Sequence, residues 1–359
     1  MKSKRVFINC APFFMATIFM FTGAGLFGTD TNGSVSAHEF HNYLDTVPEG
    51  DFMADQYTDY TAQLSAKADT LCARYIENAT AVYKQLKGLP YMGRSYVTKV
   101  KKEIPQAPVG KHCMFSQYTH LQRALDALND TLMLIPAVGS AGNPRAACRA
   151  FKSEMRNKYS GKEFQNCIHE GKMYASDAEF AAALEKCSAG LSDSVRQAKQ
   201  EKFNKSNFSA EKLNPGTILI VPRRSGSVRE FHAIMYLGRG RLDSAGNFIA
   251  SASGEHMFIA NNRESIGEVF KTWDTRNVFA ADIKNIAIAL YAQELARIQN
   301  MGRDELIEYL SDCGLALHGV SDVMLKELAV AKYFGQDVKE IVQCLQNFKI
   351  PDSAYGLTK

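Results

Sequence analysis

Apolar side chains recur at intervals of three and four along the first long polar segment of the chain: Leu64, Ala68, Leu71, Tyr75, Ala79, Val82 and Leu86. That spacing marks one face of an amphipathic α-helix within residues 51–86, and Gly88-Leu89-Pro90 ends it. Residues 103–110 hold Pro105 and Pro108 and show no helical period, so they read as an extended loop. A second helix is predicted from Lys111-His112-Cys113. Its stripe Met114, Tyr118, Leu121, Leu125, Leu128 and Leu132 has spacings of 4, 3, 4, 3 and 4 and stops near Pro136.

The pattern then changes twice. Residues 144–212 are polar, helix-leaning and cysteine-bearing, and they read as an inserted helical subdomain. Four short β-rich runs follow, residues 216–222, 231–238, 247–253 and 256–260, which predict a small antiparallel sheet. After Asp282 the period is helical again, through Ile283, Ile286, Ala287, Leu290 and Ile298. Helices, then a sheet, then helices is an α+β order, which disfavours a doubly wound nucleotide-binding fold. The expected organisation is a leader (1–37), an N-terminal helical region (38–90), the second helix (91–143), the helical insert (144–212), the sheet (213–281) and a C-terminal helical region (282–359).

Composition adds compartment and excludes some classes. The 359 residues are 46% hydrophobic and 22% charged, as expected of a globule rather than a disordered or collagen-like chain. Lys2, Lys4 and Arg5 precede an apolar run from Val6 to Phe27, and Val35-Ser36-Ala37 offers a small-residue cleavage site. We therefore expect an exported protein, periplasmic or extracellular, with no stable membrane insertion once the leader is removed; a retained anchor is the alternative. Export would leave 39 basic against 37 acidic residues, a net +2 that implies no nucleic-acid partner. Seven of the eight cysteines would remain, an odd number in an oxidising compartment. Cys313 and Cys344 are a reasonable disulfide pair. The chain has no GxGxxG after a strand, no P-loop, no HExxH, no GxSxG and no CxxC. A metal site from Cys167, His169 and Cys187 matches no finger spacing, and disulfide pairing is the preferred reading of those cysteines.

Cys113 is the candidate nucleophile. A thiol in the first turn of a helix feels the positive end of the helix dipole, which favours the thiolate, and its own N–H is available to an oxyanion. It needs a base within hydrogen-bond reach. His120 returns to the same helix face, but about 10 Å further along the axis. His112 adjoins the cysteine and points away. His232 opens a strand whose face it shares with Ile234 and Tyr236, and it is the preferred base.

The stretch from Gly110 to Leu121, in which a helix starts at a cysteine, resembles the nucleophile motif of the NlpC family of papain-like cell-wall cysteine peptidases. Residues 214–221, 232–238 and 247–254 are similar to that family's three successive strand motifs, in the same order. The resemblance implies a papain-like core, a small antiparallel sheet with a nucleophile helix, in which Cys113 attacks and His232 is general base. It also implies hydrolysis of amide bonds in peptidoglycan stem peptides, without a cofactor. Where the family carries the residue that orients the imidazole, this chain has Ala250. If the strands around His232 and Asn247 form a hairpin turning near Leu242 and Asp243, Ser253 falls opposite His232, with Ser251 and His256 a register slip away. Gln106 is a candidate second oxyanion donor. Arg223, Arg224, Arg229, Arg239, Arg241 and Arg263 are candidates for a cationic rim facing a peptide carboxylate. An acyltransferase or lipid amidase with the same Cys-His pair, and an inactive module that binds wall peptides, are the rival expectations.

Overall fold

The first apolar stripe folds as expected. Leu64, Ala68, Leu71, Tyr75, Ala79 and Val82 are buried along helix α1 (Thr61–Leu86) in the computed structural model of the chain. The structure describes residues 60–86, 113–139, 143–225, 228–243, 247–260, 265–268, 275–315, 317 and 320–347. The leader, its cleavage site, the proline-bearing loop, His112 and Gln106 lie outside these residues. Among the described residues no helix is long and apolar enough to cross a membrane.

Helix α2 (Cys113–Ala127) is shorter than its apolar stripe suggested. Asn129 adopts a left-handed conformation (φ 52°), the Asn129 N–H donates to Asp126 O, and the Asp130 N–H reaches back to Leu125 O at 2.9 Å. That closure is a Schellman motif, and it takes Leu128 and Leu132 off the helix. Met114, Leu121 and Leu125 are buried as expected, but the buried face also holds Ser116, Gln117 and His120, while Leu128 is exposed.

The segment read as a helical insert is more than that. Its helices are α3 (Pro144–Lys158), α4 (Asp177–Ser188) and α5 (Asp193–Lys205), but strands β1 (Ile168–Tyr174) and β2 (Asn207–Ser209) run between and after them. Only Met173 in β1 is deeply buried, and Glu170 and Lys172 interrupt any apolar alternation, so the strand left no period-two signal. Asn143 caps α3, accepting from the Arg145 N–H, and Pro144 occupies the first turn. Arg156 and Lys152 of α3 both pair with Glu170 of β1.

The remaining strands are β3 (Ile218–Ser225), β4 (Val228–Leu242), β5 (Phe248–Ala250), β6 (Glu255–Ala260), β7 (Ser265–Glu268) and β8 (Val278–Ala281). They join β1 and β2 in one mixed sheet of order β2-β1-β8-β3-β4-β6-β7, with β5 also on β4. The β1–β2 pair is parallel and every other pair is antiparallel. The protein is thus α+β, with a sheet twice as wide as the four runs predicted. Ile218, Leu219, Ile220 and Val221 are all inaccessible to solvent, as a strand covered on both faces requires. One face carries Leu219, Val221, Ile234, Tyr236, Phe258, Ala260, Val278 and Ala280 in a single cluster. On the other, Phe279 meets Phe151 of α3 edge to face, ring centroids 6.2 Å apart. Each of these fully buried rings contributes roughly 2–3 kcal/mol.

Helix α6 (Ile283–Gln299) follows the sheet. The Asp282 carboxylate, wholly buried, accepts from the Asn285 N–H at 3.1 Å and from the Asn214 side chain at 2.9 Å, and the Asp282 N–H donates to Cys167 O at 2.8 Å. Desolvation raises its pKa, opposed by those same donors. Among the described residues the chain divides into two compact units, residues 60–296 and residues 297–347. Within the second, helices α7 (Arg303–Leu310), α8 (Asp322–Tyr333) and α9 (Val338–Asn347) follow in order. Leu306, Leu310, Leu325 and Leu328 are buried there, and Arg303 pairs with Asp322 at 2.5 Å.

Candidate active site

Helices α2 and α3 both pack against β4, and three residues from these elements meet. Cys113, 3% exposed, is the first residue of α2. Its sulfur accepts a hydrogen bond from the backbone N–H of Ala233 at 3.2 Å. Ala233 follows His232, and the imidazole of His232 is hydrogen-bonded to the same sulfur. The third neighbour is Cys148, in the second turn of α3, whose thiol also donates to Cys113.

These contacts set the acidity of the two thiols in opposite directions. The Cys148 thiol, the His232 ring and the Ala233 N–H together hold Cys113 well below the ordinary thiol range, although burial pushes the other way. Cys148 is held protonated by its bond to Cys113, by burial and by the charge on Cys113. The other interior thiols behave as structural cysteines do: burial, reinforced by Asp282, raises Cys72 and Cys167 to about 12. The contacts around Cys113 thus favour its thiolate, the form that attacks a carbonyl carbon.

Ser253 does not join them. Strand β4 pairs with β5 only at its far end, Gly240 opposite Ala250, and then with β6 in a different register, Arg239 opposite His256, with a bulge between Tyr236 and Gly238. The assumed hairpin had one turn near residue 242 and one register. The actual path inserts a three-residue strand and a second turn at Ser251–Gly254, so Ser253 lies exposed at the Arg239–Gly240 end of β4. That end is some seven residues from His232, roughly 20 Å along the strand. Ser251 lies there too, its N–H donating to Arg239 O.

His256 has a structural role. Its Nε2 donates to Ala175 O at 2.9 Å, which leaves Nδ1 to accept from the Tyr236 hydroxyl at 2.8 Å. Burial lowers its pKa. His120, wholly buried, is not among the groups at the Cys113 sulfur; burial and Arg123 lower its pKa to about 3. Of the arginines proposed as a rim, Arg239 is tied to Glu211 at 2.9 Å and to Gly254 O. The side chains of Arg223, Arg224 and Arg229, and Arg263 altogether, lie outside the described residues.

No disulfide bridges the described cysteines: Cys72, Cys113, Cys148, Cys167, Cys187 and Cys313 are free thiols. The expected Cys313–Cys344 bridge is accordingly not formed; Cys313 sits in a short 3-10 turn, its sulfur 3.7 Å from Asp312 Oδ1. Nor do Cys167, His169 and Cys187 converge: Cys187 is exposed on α4, and the His169 ring stacks on Phe208. Among the described residues no group of three or more His, Cys, Asp or Glu side chains is placed to hold a metal ion.

Cys148 is the residue at this site that sequence reasoning missed. It lies on a different helix, 35 positions beyond Cys113, and no motif connects the two. Its only signal was the α3 stripe Cys148, Phe151 and Met155, which marks it as buried but not as a neighbour of the nucleophile. No protein-family model, curated protein or solved structure matches this chain.

Proposed function

We propose that this protein is an exported cysteine hydrolase with a papain-like core, which cleaves amide bonds using Cys113 as nucleophile and His232 as general acid and base. One observation carries the reading: the Cys113 sulfur, at the start of a helix, is hydrogen-bonded by the Ala233 N–H at 3.2 Å and by the neighbouring His232 ring, and its pKa is lowered. The reaction has two halves. The sulfur attacks the amide carbon, and the N–H groups at the start of α2 stabilise the oxyanion. His232 delivers its proton to the departing amine, leaving a thioester. Water then gives a proton to His232 and its oxygen to the acyl carbon, releasing the acid and restoring the thiolate beside the protonated ring.

The substrate class and the exported location rest on the resemblance to NlpC-type peptidases in the Cys113 helix and the strand motifs. The expected substrate is the stem peptide of peptidoglycan. Incubating the protein with purified cell-wall peptidoglycan and assaying new amino and carboxyl termini tests this. Release is expected from the wild type and none from Cys113→Ala, with His232→Ala slower by about 10²–10⁴-fold. Equal release by Cys113→Ala, or binding to the wall without release, would overturn the hydrolase reading.

A further inference from the structure

Cys148 has no part in the two half-reactions, yet its thiol is wholly buried against the nucleophile. Among the described cysteines no other thiol shares in setting the acidity of Cys113. Cys72 lies on α1 beside Gly216, Cys187 is exposed on α4, and Cys313 belongs to the other compact unit. The Cys113–Cys148 pair joins two different helices that pack against each other and against the same strand, β4. Bonded sulfurs stand about 2 Å apart, and these two thiols, buried on neighbouring helices and each shifting the other's acidity, are placed to meet.

We propose that Cys113 and Cys148 form a reversible disulfide when the protein meets a hydroperoxide, with Cys148 acting as the resolving thiol. The Cys113 thiolate attacks one oxygen of hydrogen peroxide and the O–O bond breaks, giving Cys113 sulfenic acid and hydroxide. The Cys148 sulfur then attacks the sulfenic sulfur, and the S–O bond breaks as the S–S bond forms. The hydroxyl group leaves with the thiol proton as water. Each sulfur loses one electron, and the two electrons reduce the peroxide. A dithiol reductant reverses the bond by exchange. The low pKa of Cys113 supports the first step, because attack on peroxide needs the thiolate. Burial of both sulfurs favours small oxidants over bulky ones and keeps the sulfenic acid beside its resolving partner. The consequence is protection: capture by Cys148 stops Cys113 from passing on to the irreversible sulfinic acid.

Disulfide formation rests on the two sulfurs alone, and only its effect on hydrolysis rests on the function proposed above. The reduced, full-length protein is treated with hydrogen peroxide and its intact mass and peptide map are recorded. The wild type is expected to lose two hydrogens, to yield a cross-linked peptide containing Cys113 and Cys148, and to return to its starting mass with dithiothreitol. Cys148→Ala is expected to gain two oxygens at Cys113 instead, and Cys113→Ala to leave Cys148 unmodified. Peroxide that carries wild-type Cys113 straight to the sulfinic acid, or a disulfide mapped to any other pair, would overturn the proposal. The wild-type map decides this even if a variant fails to fold, and whether or not the protein hydrolyses peptidoglycan. If it does hydrolyse it, activity is expected to vanish with the cross-link and to recover with dithiothreitol.

Discussion

His120 is wholly buried in the middle of α2, and neither of its ring nitrogens has a hydrogen-bond partner among the described residues. The Ser116 hydroxyl one turn earlier has none either. A buried imidazole without partners resists protonation, and Arg123 adds to the effect, so the folded pKa is about 3 against about 6.5 in the unfolded chain. Acid therefore favours the unfolded state, which binds a proton below about pH 6.5 while the folded state binds one only near 3. The stability attributable to a neutral His120 is complete above pH 6.5 and is lost as pH falls through 3, at most about 5 kcal/mol in all. Urea titrations of the wild type and His120→Leu at pH 7 and pH 4.5 are expected to show a stability loss on acidification that the variant largely lacks. Equal losses in the two proteins would remove His120 as the cause. Helical spacing identified His120 as a residue on the Cys113 face of the helix, but spacing says nothing about whether a polar ring finds partners. The same limit hid Cys148, since a sulfur's neighbours across an interhelical contact leave no trace in local pattern.

Among the secondary-structure elements, β1 was the least legible and its pairing is the most sensitive to substitution. Gly171 has φ +127°, and a Cβ there would stand 1.8 Å from Ser206 O, which accepts the Lys172 N–H at 3.0 Å. Neither the backbone angle nor the space admits a side chain. Gly171→Ala is expected to destabilise the protein by roughly 2–4 kcal/mol through loss of the β1–β2 pairing. Gly190 is the control: its φ is +73° but nothing lies within 4 Å of its Cβ position, so Gly190→Ala should cost only about 1 kcal/mol. Equal denaturation midpoints for the two variants would contradict the close approach at Gly171. Strong periodicity made α1 and the central strands readable, because their buried stripes are long. Elements with one buried residue, such as β1, or four buried in a row, such as Val278–Ala281, carry too little periodicity to separate strand from neighbouring helix. The length of α2 was misjudged for a related reason: the left-handed turn at Asn129 ends the helix while the leucine spacing continues.

At the scale of the whole molecule, the candidate site exists only because the fold brings together residues 119 positions apart, from 113 to 232. The order of helix, strand and residue type pointed to that pair; the Ala233 N–H, next to His232, donates to the Cys113 sulfur, and the His232 ring is among the groups that lower the pKa of Cys113. The orienting residue was sought through a hairpin register that a bulge and an extra turn displace, which is why Ser253 lies at the other end of β4. The most direct measurement of the central claim, an acidified Cys113 thiol sustained by His232, is the pH dependence of Cys113 alkylation by iodoacetamide, followed site by site by mass spectrometry. Its inflection is expected well below the range of about 8.5 typical of a free thiol, and removal of the imidazole in His232→Ala should move it upward. An inflection at the free-thiol value in the wild type, or one that His232→Ala leaves unmoved, would contradict the account.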